Sequence, residues 1–526
     1  MSDMVDTVIF AAVTAVYLVI VLLLGYLGYK RTKDTQDFML AGRKVPPLLI
    51  ALSYGATFIS TSAIVGFGGV AAQLGMGVIW LTVLNIALGI FIAFVIFGKK
   101  TREIGQKLGA VTFPDLIAKR FNSKFMQQAC GLIILFGMPL YTSAVMIGGA
   151  QFVSSTLNLD YNTALLAFAA VTALYVVGGG LLAVIYTDAF QGAIMFVGMA
   201  LLLLFTYSIL GGFDAANQAL TNLADKVPAG LAAAGQNGWT SMPDLGSSIW
   251  YKMITTIVLG VGIGVLAQPQ LVVRFMTAKD GKTLNRAVVA GGIFILMMTG
   301  VAFTVGALSN VYFFNEFGKV AVAYQPNVDR IMPDFINLAL PEWFVVLFMV
   351  TLLAAAMSTL SGLFHTMGTA FGHDLLKFTK NYKPSINNNR IGILIMFAIS
   401  LALALVMPGS IIARATAMFM GLCASAFLPM FTYALFSKKP SKRPAIAGLL
   451  VGAVAWLLWT VFVHVAESDP LGICKFLFGQ TALLGFPYTV IDPLVVAMPL
   501  SIVAIGVVWL LTRAEQTTET IEKAAV

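Results

Sequence analysis

Apolar residues fall along this chain in long, nearly unbroken blocks, with short polar runs separating one block from the next. Blocks long enough to cross about 30 Å of hydrocarbon lie near residues 6–29, 47–75, 77–98, 124–155, 162–182, 187–210, 249–273, 287–310, 341–376, 390–407, 410–436, 445–466 and 490–512. The pattern predicts an all-α polytopic membrane protein with about thirteen transmembrane helices, which puts the termini on opposite faces of a bilayer. Three longer connections, at about 211–248, 311–340 and 467–489, are rich in Gly, Asn, Asp and Pro. They read as external loops with, at most, short amphipathic helices.

Composition narrows the class. Of 526 residues, 59% are hydrophobic and only 10% are charged, and the mean hydropathy is +0.90. Soluble domains carry about 25% charged residues, so an ordinary cytosolic enzyme is excluded and the lipid bilayer becomes the main solvent. The net charge of +9 would suit nucleic acid, but in a membrane chain basic residues gather on the cytoplasmic side. With the C-terminus inside, 26 of the 32 Lys and Arg fall in cytoplasmic segments. Only Lys226, Lys252, Lys319, Arg330, Arg414 and Lys475 lie on or near the outer side. This predicts a multi-pass protein of the plasma (cell inner) membrane, with the N-terminus outside, a cytoplasmic tail at 513–526 and no nucleic-acid partner. Asp3 and Asp6 precede the first block and Lys30, Arg31 and Lys33 follow it, the reverse of a signal peptide, so that block reads as a retained span. Cys130, Cys423 and Cys474 are too scattered for a disulfide framework or a zinc site.

An ionisable residue inside a membrane is a functional candidate by default, and here such residues are few. Asp188 and Arg274 sit at inner helix ends, Arg414 near an outer end, and His365 in the inner part of the ninth span. A proton relay would normally need a mid-membrane carboxylate, so that class is weakened. Hydroxyls and glycines take the place of charge. The second span runs Ser53-Tyr54-Gly55-Ala56-Thr57-Phe58-Ile59-Ser60-Thr61-Ser62-Ala63 and then reaches Gly66, Gly68 and Gly69. It either breaks, freeing carbonyls to line a cavity or hold an ion, or packs closely through its small residues. The ninth span carries Ala354-Ala355-Ala356-Met357-Ser358-Thr359. Its adjacent neutral hydroxyls suit a hard monovalent cation rather than a divalent one, or simply bond back to the preceding turn. In the seventh span Gly260, Gly262 and Gly264 lead to Gln268-Pro269-Gln270, where the proline interrupts or kinks the helix. Two interrupted helices five spans apart point to an inverted repeat with a midplane site.

Several stretches resemble the recurrent motifs of the sodium:solute symporter family. They are Asp37-Phe38-Met39-Leu40-Ala41-Gly42-Arg43, the broken second span, Gly178 to Gln191 with Asp188 inside it, Gln268-Pro269-Gln270-Leu271-Val272-Val273-Arg274-Phe275-Met276, and Ala356-Met357-Ser358-Thr359. The resemblance implies a leucine-transporter-like core of five plus five helices, with repeats at 47–210 and 249–436, a leading helix at 6–29 and two trailing helices within 445–512. It implies a sodium site made by the carbonyls of Ala56, Ile59 and Ala355 and the hydroxyls of Ser358 and Thr359, with Asp188 on the path of sodium release. Sodium would be the co-transported ion and a small organic solute its partner; the oligomeric state stays open.

Departures from the family's patterns bear on that solute. Ala63 stands where sugar transporters carry a glutamine, and Val261 and Val265 stand where proline transporters carry aromatics. The expectation is therefore import of a monocarboxylate or pantothenate-like acid by alternating access, with a proline-type amino acid as the alternative. Candidate solute contacts are Thr61, Ser62, Ala63, Asn85, Tyr141, Gln268 and His365. A membrane sensor built on the same fold is a further alternative. An enzyme is not expected: Gly281-Lys282-Thr283 lacks the earlier glycine of a phosphate loop, since Met276 stands there, and no His-Glu-x-x-His zinc motif occurs.

Overall fold

The computed structural model describes residues 7–176, 180–378, 383 and 385–525. The chain is almost entirely helical, with a single isolated bridge between Val45 and Ala278 and no strand among the described residues. The spans, in order, are α1 (Thr7–Arg31), α2 (Pro47–Phe58), α3 (Ser62–Leu74), α4 (Met76–Lys107), α5 (Lys124–Leu157), α6 (Tyr161–Val176) and α7 (Leu181–Ile209). They continue as α8 (Ser248–Met276), α9 (Gly281–Phe317), α10 (Glu342–Phe378), α11 (Ile386–Val406), α12 (Ile412–Phe436), α13 (Lys442–Phe462) and α14 (Pro493–Arg513).

Among the described residues, eleven of these helices are long and apolar enough to cross a membrane, or twelve if α2 and α3 form one bent span. The expected count of thirteen differs at 162–182. There α6 is a shorter helix, and Gly178 and Gly179 of the quoted motif lie outside the described residues. Counting α6, each of the segments 47–209 and 248–436 holds five spans, and the first of each is interrupted. α2 and α3 meet at 53° across Ile59 to Thr61. α8 breaks at Gln268, whose backbone is extended (φ −68°, ψ 120°) as the residue before Pro269 must be.

Burial orders the spans. In its most apolar window α10 is 94% buried and α1 only 11%, so α10 forms the centre and α1 faces lipid. α10 packs on α7, α5, α11 and α2, while α13 and α14 pair with each other at the edge. Close crossings use glycine: a Cβ on Gly264 of α8 would stand 2.2 Å from the Met420 carbonyl of α12. One on Gly306 of α9 would stand 2.1 Å from the Gly68 carbonyl of α3. The three longer connections contain short helices, including Phe213–Asn222, Val328–Ala339 and Val465–Leu471. Trp239, from the first of these loops, is fully buried and donates its indole N–H to the Ala72 carbonyl at 2.7 Å, pinning the loop to α3. Cys474, expected in a loop, is buried within the short helix Ile473–Phe478.

Candidate functional site

The break after α2 exists because Ile59 turns extended (φ −92°, ψ 106°), and the chain is back in helical geometry at Thr61 (φ −54°, ψ −29°). The last turn of α2 then faces α10 directly. Ser358 Oγ lies 2.9 Å from the Ala56 carbonyl oxygen and 3.1 Å from that of Ala355. Thr359 Oγ1 lies 3.3 Å from the Ala56 oxygen and 3.1 Å from that of Thr57. All these residues are buried. Two hydroxyls thus converge with three carbonyls, a neutral oxygen set that fits a monovalent cation held by ion–dipole attraction. Ile59, the remaining expected ligand, is the first residue beyond the helical turn, its N–H bonded to Gly55 at 2.8 Å.

Asp188 lies beside this set rather than in it. Asp188, read from the sequence at a helix end, is wholly buried. Its Oδ2 accepts hydrogen bonds from Ser53 at 2.8 Å and Thr57 at 3.1 Å, and pairs with Arg274 Nη2 at 2.9 Å. Ser361 reaches its Oδ1 at 3.4 Å. Arg274 is itself buried and also donates to Ser53, Thr57 and the Gln270 carbonyl. A buried pair survives only when its remaining hydrogen-bonding capacity is satisfied, and the hydroxyls supply that here. Ser53, Ala56 and Thr57 share one face of α2 at helical spacing, so the same helix turn serves both the cation set and the ion pair.

On the other side of the break is a narrow cavity of about 20 Å³, room for roughly one water. Phe58, Ser60, Ser62, Ala63, Asn85, Tyr141, Val261, Thr299, Phe303 and Thr416 are among the residues around it. Ser62 Oγ and Asn85 Oδ1 are buried and have no hydrogen-bond partner, and such groups need an explanation. The Tyr141 hydroxyl lies 3.3 Å from both the Phe58 carbonyl and Ser60 Oγ. Ser62, Ala63, Asn85 and Tyr141 of the sequence candidates therefore meet at this cavity. The other three stand apart. Thr61 bonds the Val145 carbonyl of α5 at 2.8 Å, His365 lies 3.0 Å from the Phe38 carbonyl and packs on the Phe38 ring, and Gln268 pairs with Gln270 at the α8 break. Thr299 and Thr416, which the sequence reading did not single out, complete the polar lining from α9 and α12. A lone threonine in an apolar span carries no signal until the fold places it.

The family model described as the sodium:solute symporter family matches residues 38–452, a stretch that contains every residue of the cation set and the cavity. The chain belongs to the sodium:solute symporter family. Curated relatives of this symporter-family chain include the sodium/proline symporter of Escherichia coli (strain K12), 26% identical over 478 residues, covering 90% of this chain and 91% of that protein. The osmoregulated proline transporter OpuE of Bacillus subtilis (strain 168) is 28% identical over 458 residues, covering 84% and 87%. The high-affinity proline transporter PutP of the same organism is 28% identical over 452 residues, covering 83% and 89%. Among solved structures, a sodium-coupled sialic acid symporter in a substrate-bound outward-open state superposes with a TM-score of 0.72 at 20% identity, covering 94% of this chain and 96% of that one. That likeness establishes the symporter fold. The chain is thus a multi-pass membrane transporter of the sodium-symport class, with sodium as the co-transported ion.

Proposed function

We propose that this symporter imports a small proline-type amino acid with sodium. The observation that carries the reading is the position of the cavity: it abuts the same helix break whose inner turn supplies the cation oxygens. Sodium drawn to Ala56, Ile59, Ala355, Ser358 and Thr359 would order that break, and through it the contacts of Ser62, Ala63, Asn85 and Tyr141 with the solute. The relatives favour an amino acid over the monocarboxylate or pantothenate-like acid expected from the glycine-rich seventh span, since the sodium/proline symporters among them match over about nine-tenths of both chains. The neutral lining and small volume of the cavity also favour a compact solute. The repeats at 47–210 and 249–436 would rock about this point, with Asp188 on the inward path of sodium and the C-terminus in the cytoplasm.

The energetics separate the two solute classes. One sodium moving with a zwitterion carries one net charge, and ~100 mV of membrane potential contributes about 2.3 kcal/mol to it, roughly fiftyfold in accumulation. One sodium moving with a monoanion carries none. In proteoliposomes, radiolabelled L-proline uptake is expected to need an inward sodium gradient and to rise with an inside-negative potential. The double variant Ser358→Ala/Thr359→Ala should lose sodium stimulation while its melting temperature stays close to that of the parent. Uptake that continues with choline in place of sodium, or a potential-independent preference for lactate or pantothenate, would overturn the reading.

A further inference from the structure

At the edge where α14 packs, a crevice of about 390 Å³ lies between α4, α8, α12 and α14. Phe97 of α4 and Leu266 of α8 line it and are buried. Met498, Ile502 and Ile505 line it from one face of α14 at helical spacing. Ile502 is exposed, and α14 is only 17% buried in its most apolar window, so the crevice opens toward hydrocarbon. Two hydroxyls reach the lining and both are engaged. Thr432 Oγ1 donates to the Leu428 carbonyl at 2.8 Å, and the Tyr433 hydroxyl accepts the Ser441 N–H at 3.0 Å. Such a lining offers water too few of the polar partners that a buried water needs. It suits an acyl chain.

Tyr433 also ties the crevice to charge. Its partner Ser441 belongs to the turn Lys438-Lys439-Pro440-Ser441-Lys442-Arg443 between α12 and α13, which holds no acidic residue. Lys438, Lys439 and Lys442 are exposed and make no ion pair among the described residues. Arg120, from the helix Phe113–Phe121, adds a guanidinium at this corner by donating to the carbonyls of Ala434 and Ser437, each at 2.8 Å. Membrane orientation alone accounts for basic residues at a helix end, but it does not call for a hydrocarbon-lined crevice beside them. An apolar groove that ends at an unpaired basic turn matches a molecule with an acyl tail and an anionic head.

We propose that this crevice is a binding site for an anionic phospholipid, with one acyl chain lying along α14 against Leu266 and the phosphate on Lys438, Lys439 and Lys442. Leu266 stands two residues before Gln268, the extended residue at which α8 breaks. A chain seated there therefore braces the outer wall of that break. The site does not depend on which solute the carrier takes.

The test is a titration of the purified full chain in detergent with dioleoylphosphatidylglycerol, read by melting temperature and by native mass spectrometry. A saturable rise in melting temperature is expected, with one lipid retained per chain. Dioleoylphosphatidylcholine and inorganic phosphate should each give a much smaller shift. A basic residue near an anionic lipid surface is worth about fivefold in affinity, so Lys438→Gln/Lys439→Gln/Lys442→Gln should weaken binding about tenfold or more. Lys442→Gln alone, at an exposed position, should give a partial loss without endangering the fold. Lys33→Gln, at the basic end of α1 and away from the crevice, should change nothing. Ile502→Trp fills the mouth of the crevice without altering charge, and it should abolish the retained lipid while the lipid-free melting temperature holds. Equal shifts with the two phospholipids, or phosphatidylglycerol binding that ignores Ile502→Trp and Lys442→Gln, overturns the proposal. A lipid-free dimer that cross-links through Ile502→Cys would put a second copy of the chain in the crevice and overturn it as well.

Discussion

At Thr57 one hydroxyl faces two neighbours. Its Oγ1 bonds Asp188 and Arg274, and its carbonyl accepts Thr359 of the cation set. The neutral oxygen set and the buried ion pair therefore meet in one residue. Removing one member of a buried pair leaves a charge uncompensated and costs about 3–5 kcal/mol. Arg274→Gln or Asp188→Asn alone should sharply lower the melting temperature of the purified protein. Asp188→Asn/Arg274→Gln together should recover most of the loss, and a double variant as unstable as either single one would contradict the pairing. Ser358 and Thr359 drew attention as adjacent neutral hydroxyls in an apolar span, although Thr142-Ser143 and Thr255-Thr256 share that pattern. Ser53, Thr57 and Ser361 were not singled out, since each is an ordinary membrane-helix residue until folding brings Asp188 and Arg274, 86 positions apart, into contact. His365 and Gln268 drew attention by polarity alone, and the fold sets them against the Phe38 carbonyl and Gln270, apart from the cavity.

The interrupted helices were the most legible elements. Small residues and Pro269 marked both breaks, and both occur, but only the first is bent sharply. The sharp bend needs Ile59 to leave the helix, while at α8 a single extended residue before proline suffices. The glycines divide in a way sequence alone does not reveal. Gly264→Ala would drive a Cβ into the Met420 backbone of α12. Overpacking of this kind costs about 1–3 kcal/mol, and because α8 and α12 both border the cavity, uptake should fall with stability. Gly25→Ala on α1 meets no atom within 4 Å and should leave thermal stability and uptake unchanged or slightly improved. Equal melting shifts for the two variants would refute the close-crossing account.

For the whole molecule, hydropathy located nearly every span, because bilayer thickness acts on segments rather than on contacts. The count was least legible at α6, where glycine follows a short helix. The longer connections hold titrating groups that composition could not reveal. Burial pushes Asp329 up to about 6, and it does the same for Asp492. At His464 burial alone would lower the value, but the Glu467 hydrogen bond and charge outweigh it, so it rises above its ordinary 6.5. A group raised by folding contributes stability that is complete below its unfolded value and is lost as pH climbs through the folded one. The melting temperature should thus decline between the ordinary carboxyl value of 3.8 and about 6 as Asp329 and Asp492 ionise. A second decline should follow above 6.5 as His464 loses its proton. His464→Asn should remove the second decline and spare the first; thermal unfolding across this range checks it.

The small volume of the cavity also bears on pharmacology. A recess of about 500 Å³, lined by Val70 of α3, Ile257 of α8 and Ala413 of α12 among others, lies in the size range that holds drug-like molecules, whereas the cavity at the helix break admits about one water. A bulky molecule that lodges in the recess yet is too large to pass onward would block the carrier without becoming cargo. Its potency would depend on which face of the vesicle it is added to, and right-side-out and inside-out preparations would give different inhibition curves for the same compound.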